Sequence, residues 1–269
     1  MAALVRDLMH RGLLTCRQDT SLGQVAVMLT QHHVHALVVV DRDRRPIGLI
    51  SDFDLLAGEW LSADAESLSV MRKLTAGDLM SHPITSVEAD VPLTEAAALM
   101  LSNDISRLMV TEDGKPAGMI AGSDFVASIA RTERAKRETV ADVMSDAILV
   151  CRDQTPVISA ARTMTQAGWR SVLVVDARGR PLGVVSEKDL IPLIQGGIKS
   201  DAVVSQVMHP MQTLDMRASL REAADTMINK HHHRVVVVDK NDPDSFPLGI
   251  VSSFDIVAEM ARPGSVWQT

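Results

Sequence analysis

The sequence predicts an α/β fold made of four copies of one small β-α-β-β-α unit, set along the chain as two tandem pairs. Three observations predict it. The first is a phrase that occurs four times: a Gly, two apolar residues, a small residue, two variable residues and an Asp. It runs from Gly48 to Asp54, Gly118 to Asp124, Gly183 to Asp189 and Gly249 to Asp255. The copies begin 65 to 70 residues apart, and spacing that regular marks one folding unit repeated along the chain. The second is an apolar stripe at i, i+3, i+4 and i+7 in every copy: Leu22, Val25, Ala26, Leu29; Leu93, Ala96, Ala97, Met100; Val157, Ala160, Ala161, Met164; and Leu220, Ala223, Ala224, Met227. Such a stripe marks a helix with one buried face. The third is a set of valine-rich runs, Leu37 to Val40, Leu108 to Val110, Val172 to Val175 and Val235 to Val238. Each ends in an acid, a polar turn and a Pro, and the apolar residues after the motif Gly then form a second strand paired with the first.

Within a copy the elements follow in a fixed order. An opening tag comes first, Val5 to Met9, Ala76 to Met80, Val140 to Met144 and Val204 to Met208, followed by a few turn residues and a short apolar segment. The striped helix, the valine strand, its turn and the second strand come next. The closing helix starts around the motif Asp. A unit of this size cannot bury its apolar face alone, so the copies are expected to pair. Their expected bounds are 1–60, 74–131, 138–196 and 202–262. The stretch from Gly58 to Leu74 is an insertion that reads as an extension of the first closing helix. Gly196-Gly197 reads as a break between copies three and four. The charged segment Arg131 to Glu138 reads as a connector, and about eight residues keep the two halves of the chain close.

Composition narrows the function classes. The chain has 269 residues, 46% of them hydrophobic, which is enough for a sizeable core. A net charge of −7 weighs against nucleic acid as a partner, although local Arg and His clusters suit a small anion. No apolar run reaches the ~20 residues that cross a bilayer, so no membrane partner is expected. The N-terminus lacks the charged-then-apolar order of a signal peptide, and the expected compartment is the cytoplasm. Cys16 and Cys151 stand at equivalent places in different copies, with no Cys-x-x-Cys spacing. Packing in a reducing compartment is the reading. The fifteen Met residues lie mainly at tags and stripes, as core filling.

The Val-x-Asp-Leu-Met opening, the valine run ending in Asp and the Gly-x-x-Ser-x-x-Asp close together resemble the cystathionine-β-synthase (CBS) domain. All four copies match, over nearly the whole chain. The resemblance implies ligand-binding units found as tandem pairs, called Bateman modules, that pack through their sheets and leave two clefts per pair. It also implies ligands of the adenosine class, such as AMP, ADP, ATP or S-adenosylmethionine.

The repeated residues suit such a ligand. A carboxylate can accept hydrogen bonds from both hydroxyls of a ribose, and Asp54, Asp124, Asp189 and Asp255 are the candidates for that role. Ser51, Ser186 and Ser252 stand at the mouth of a helix, where a hydroxyl and free N–H groups suit a phosphate oxygen. Copy two has Ala121 instead and is expected to hold phosphate less well. The same Ser and Asp residues would equally serve as plain caps of the following helix. Basic residues recur at the start of the valine strand: His35, Arg107, Arg170, His233 and Arg234. The resemblance implies phosphate contacts from this place. In the gamma subunit of the AMP-activated kinase, which also carries four such units, a similar His-Arg pair makes them, and His233-Arg234 is the nearest match. A solvated helix end, where cations are favoured, is the other reading.

The clusters His32-His33-x-His35 and His231-His232-His233 lack a Cys or carboxylate partner at the spacing of a closed zinc site, so no metal is expected. There is no Gly-x-Ser-x-Gly elbow, Walker loop or His-Glu-x-x-His, and the repeated acids come singly. Neither catalysis nor a required cofactor is expected. The reading is a regulatory module that holds an adenine nucleotide and passes its occupancy to a separate effector protein, through unequal affinity for two packings. A homodimer through the modules is one assembly it allows. The alternatives are a structural interaction module with empty clefts and a metal-dependent enzyme.

Overall fold

The computed structural model describes residues 3–60, 73–130, 138–194, 201–242 and 246–263. The expected helical extension beyond Trp60, the connector from Arg131 and the Gly196-Gly197 break fall outside these residues. After a tight turn at Val5–Asp7 and a short strand β1 (His10–Arg11), copy one runs β2 (Thr15–Arg17), α1 (Leu22–His32), β3 (Ala36–Val40), β4 (Pro46–Ser51) and α2 (Asp52–Trp60). The second tag forms α3 (Ala76–Leu79), and copy two continues with β5 (Ser86–Glu88), α4 (Leu93–Ser102), β6 (Arg107–Glu112), β7 (Lys115–Ala121) and α5 (Gly122–Ala130). The third tag forms α6 (Val140–Val143), before β8 (Val150–Arg152), α7 (Val157–Ala167), β9 (Ser171–Val175), β10 (Pro181–Ser186) and α8 (Glu187–Ile194). The fourth tag is a turn at Val204–Gln206, before β11 (Thr213–Asp215), α9 (Leu220–Lys230), β12 (Arg234–Val238), β13 (Gly249–Ser252) and α10 (Ser253–Ala261). Every copy has the β-α-β-β-α order that its periodicity predicts.

In each copy the valine strand sits in the middle of a small sheet. Its first neighbour is parallel, because a helix carries the chain across, and its second is antiparallel, because a short turn joins them. The acid that ends the valine strand builds that turn: Asp41 accepts from the N–H groups of Asp43 and Arg45, and Asp176 from those of Arg178 and Arg180. Two of the four striped helices start at side-chain caps, where Ser21 accepts from Gln24 N–H in α1 and Ser219 from Glu222 N–H in α9. Three of the four stop at left-handed residues, His33 (φ 52°), Gly168 (φ 70°) and His231 (φ 54°). Two members of the histidine clusters are thus helix stops.

The chain divides into two compact units. One contains copies one and three, residues Leu13–Ile84 and Leu149–Pro210; the other contains copies two and four with the N-terminal residues, Met1–Gly12, Thr85–Ile148 and Met211–Thr269. In the first unit α2 packs on α7 and α8, and Leu56 of copy one enters the core of Val157, Ala160 and Met164 of copy three. In the second, α10 packs on α4 and α5, and α9 on α5. All sixteen stripe residues are buried, none more than 7% exposed. The two alanines at the middle of most stripes let the facing helices come close.

The opening tags change places. The first tag lies on copy two, where β1 pairs with β7, setting His10 opposite Met119, and Met9 joins the core. The second returns to copy one, where Leu49 and Ser81 exchange backbone hydrogen bonds of 3.0 and 2.8 Å. The third reaches copy four through Ser145 and Ile250, and the fourth reaches copy three through Val184 and His209. This contact explains the motif glycine. A Cβ at Gly249 would stand 2.6 Å from the Ser145 carbonyl oxygen and 2.8 Å from the Met144 sulfur, and one at Gly183 would stand 2.7 Å from the His209 oxygen. Only glycine lets the two backbones approach this closely.

Candidate functional site

Each motif acid occupies the third position of a closing helix and reaches back to the residue before it. Asp54 Oδ2 accepts from Ser51 N (2.8 Å) and Ser51 Oγ (2.7 Å), Asp189 Oδ2 from Ser186 N (2.7 Å) and Oγ (2.8 Å), and Asp255 Oδ2 from Ser252 N (2.7 Å) and Oγ (2.6 Å). From its cap residue Asp124 accepts only the N–H of Ala121, at 2.8 Å. The serine hydroxyls therefore donate to the acid and orient it.

These bonds are a helix cap, and the same cap recurs in the tags. Thr75 donates from N and Oγ1 to Asp78 (2.8 and 2.7 Å), and Thr139 does so to Asp142 (2.9 and 2.7 Å). The two settings differ in solvent. Asp78 and Asp142 are exposed, and their threonines hold both carboxyls below the ordinary range. Asp54, Asp124 and Asp255 are buried or half-buried, and burial pushes their carboxyls up despite the cap bonds. Capping needs no burial, so desolvation singles out the motif acids as candidates for a site. Asp189 departs from the other three. Burial pushes it up, but the His209 ring and the Ser186 donors outweigh that and hold it low.

Cations lie beside these acids. Arg170 of copy three draws on the Asp54 carboxyl of copy one, and its guanidinium lies over the Phe53 ring, 4.8 Å from the centroid. A sugar candidate of one copy and a phosphate candidate of another thus come together. Arg234 acts on Asp255 and Arg107 on Asp124, each within its own copy. His35 is held by a different acid, with Nδ1 2.7 Å from Oδ2 of Asp52, which is 1% exposed. Glu187, equivalent to Asp52, is also buried, whereas Gly122 and Ser253 bring no charge to that place in copies two and four. His233 immediately precedes β12, and its carbonyl accepts from Ser253 N–H.

The sequence reading did not single out His10, His209, Phe53, Asp52 or Glu187. His10 Nε2 lies 2.9 Å from Asp124 Oδ1, and His209 Nδ1 lies 3.2 Å from Asp189 Oδ2. The available signal was that Met9 and Met208 are each followed by His, whereas Met80 and Met144 are followed by Ser. It acquires meaning only when the tags are seen to change places. Burial pushes both cysteine thiols up to about 11, which leaves them protonated and unreactive at neutral pH. Among the described residues no three His, Cys, Asp or Glu gather as a metal cluster, and no helix is long and apolar enough to cross a membrane.

A model of the CBS domain matches residues 5–59, 76–131, 140–196 and 204–262. Protein MJ1404 of Methanocaldococcus jannaschii is 27% identical over 275 residues, which cover 96% of this chain; the chain spans 62% of that protein's length. CBS domain-containing protein DDB_G0289609 of Dictyostelium discoideum is 33% identical over 131 residues, 47% of this chain and 90% of its own. Among solved structures, protein MJ1225 of Methanocaldococcus jannaschii, proposed as an archaeal homologue of g-AMPK, matches with a TM-score of 0.82 at 17% identity, over 95% of this chain and 99% of its own. That likeness is one of fold. With four matched copies of its domain in tandem, the chain belongs to the CBS domain family.

Proposed function

We propose that this chain is a regulatory module that binds an adenine nucleotide at its motif acids and passes the occupancy to an effector protein in the cytoplasm, with no cofactor of its own. The observation that carries the reading is the contrast between acids in identical caps: Asp54 and Asp255 are drawn out of water, whereas Asp78 and Asp142 are left in it. Copy four supports it best. Ser252 orients Asp255 through Oδ2, Arg234 acts on the same carboxyl, and the neutral Ser253 stands where copies one and three carry an acid. In this reading the ribose hydroxyls donate to Asp255, and the phosphates lie toward Arg234 and His233.

The fold supports a route for the signal. α10 begins at the nucleotide-facing acid and packs on α4 and α5 of copy two. A ligand at its first turn therefore bears on the helix contact that joins copies two and four. It biases that contact only if it binds two packings unequally.

The test is calorimetric titration with AMP, ADP, ATP and S-adenosylmethionine. Binding by the unmodified chain and a loss of about tenfold or more in Asp255→Ala, the scale of losing hydrogen bonds to a charged group, are expected. Absence of binding across the whole panel would overturn the reading. It would leave a structural interaction module whose Ser and Asp residues serve as caps alone, a role their hydrogen bonds already fit.

A further inference from the structure

Two of the four motif acids are met by a histidine from an exchanged tag, and two are not. The arrangement is set by register. In every copy the first residue after the tag methionine pairs with the strand residue five positions before the motif acid: His10 with Met119, Ser81 with Leu49, Ser145 with Ile250 and His209 with Val184. The four side chains therefore start from equivalent places, and only their chemistry differs. An imidazole reaches the carboxylate, as His10 does at 2.9 Å and His209 at 3.2 Å. A serine is too short to span the same gap.

His10 meets the atom a ribose would need. The cap takes Asp124 Oδ2, and His10 takes Oδ1. His209 lies 3.2 Å from the oxygen of Asp189 that already accepts from Ser186, so it meets the cap oxygen and not the second one. The His10 side chain is 78% exposed whereas that of Asp124 is 10% exposed, so the ring lies on the solvent side of the acid as a cover. A sugar can reach Asp124 Oδ1 only after that ring moves away.

We propose that His10 is a specificity-determining residue that sets Asp124 in a class apart from the other motif acids. Asp54, Asp189 and Asp255 accept a ribose directly; Asp124 exchanges a histidine for it and fills at higher nucleotide concentration. The inference rests on the ribose reading above. A lost hydrogen bond to a charged group sets the separation between the classes at about tenfold in affinity.

The experiment titrates AMP calorimetrically into a chain carrying Asp54→Ala, Asp189→Ala and Asp255→Ala, in which the acid of copy two remains, with and without His10→Ala. Removing the histidine is expected to raise AMP affinity about tenfold. His10→Gln, which keeps a donor, is expected to stay near the parent. The same His10 substitutions in the otherwise unmodified chain, read as AMP bound per chain at a fixed concentration, give a second measure that does not depend on the loss of three caps. If the unmodified chain binds AMP and the histidine variants bind no better or worse, the inference alone is overturned. If neither the unmodified chain nor any variant binds AMP, the ribose reading falls and the inference falls with it.

Discussion

A carboxylate that caps a helix in water is held low, and one that caps a helix in a desolvated setting is held high; this chain has both. The raised carboxyl of Asp255 gives its site a pH dependence of known sign. Ribose hydroxyls donate to the charged form, so AMP affinity at Asp255 is expected to fall as pH drops through its raised pKa, approaching tenfold per pH unit below it. Calorimetry from neutral pH into the acid range reads this directly, and a flat profile would place the ribose contact elsewhere. Stability follows opposite signs at two acids. Asp255, raised on folding, weakens the fold above its folded pKa, and acidification relieves this. Asp189, lowered on folding, contributes stability above its unfolded pKa that is lost as pH falls through its folded value. Asp189→Asn is therefore expected to lose more stability at pH 7 than Asp255→Asn, as read by urea unfolding. The motif acids, the serines and most of the basic residues beside them are legible in the sequence because they recur with the repeat. His10, His209 and Asp52 are not, since their roles depend on neighbours that no local pattern names.

At the level of elements, the strands and helices are legible because their signals are local: a stripe along a helix, a valine run, an acid that closes a turn. The tag contacts are not local, yet they account for the glycine that opens every motif. Gly249→Ala would push a Cβ against the Ser145 carbonyl oxygen and the Met144 sulfur. The backbone oxygen cannot swing aside, so a cost of about 1–3 kcal/mol is expected. Gly122→Ala is the contrasting case, because its Cβ would meet Ser253 Oγ at 3.5 Å, an ordinary contact, in the first turn of α5. It is expected to stay within about 1 kcal/mol of the parent, with helix propensity acting in its favour. Urea midpoints of the two variants decide the matter. Equal effects would mean that the approach of tag and strand does not constrain the motif.

At the scale of the whole molecule, the number of copies is legible but the choice of helix partner is not. All four stripes share one pattern, so nothing in a stripe says which closing helix it faces. The compact units join alternate copies: α2 lies on α7 and α8, and α10 lies on α4 and α5. A chain cut between residues 131 and 137 would leave copies one and two without these partners. Leu56, buried among residues of copy three, and Phe125 and Ile129, buried in a core shared with copy four, would then face water. Each such side chain favours burial by about 1.5–3 kcal/mol, which drives the fragment to cover its helix faces with those of a second fragment. Sedimentation of the first half is therefore expected to show a dimer. Addition of the second half is expected to replace that dimer with a one-to-one complex, because the native partners match these faces better. A first half that stays monomeric and unfolds at the same urea concentration as the whole chain would mean that the alternate-copy cores contribute little to its stability.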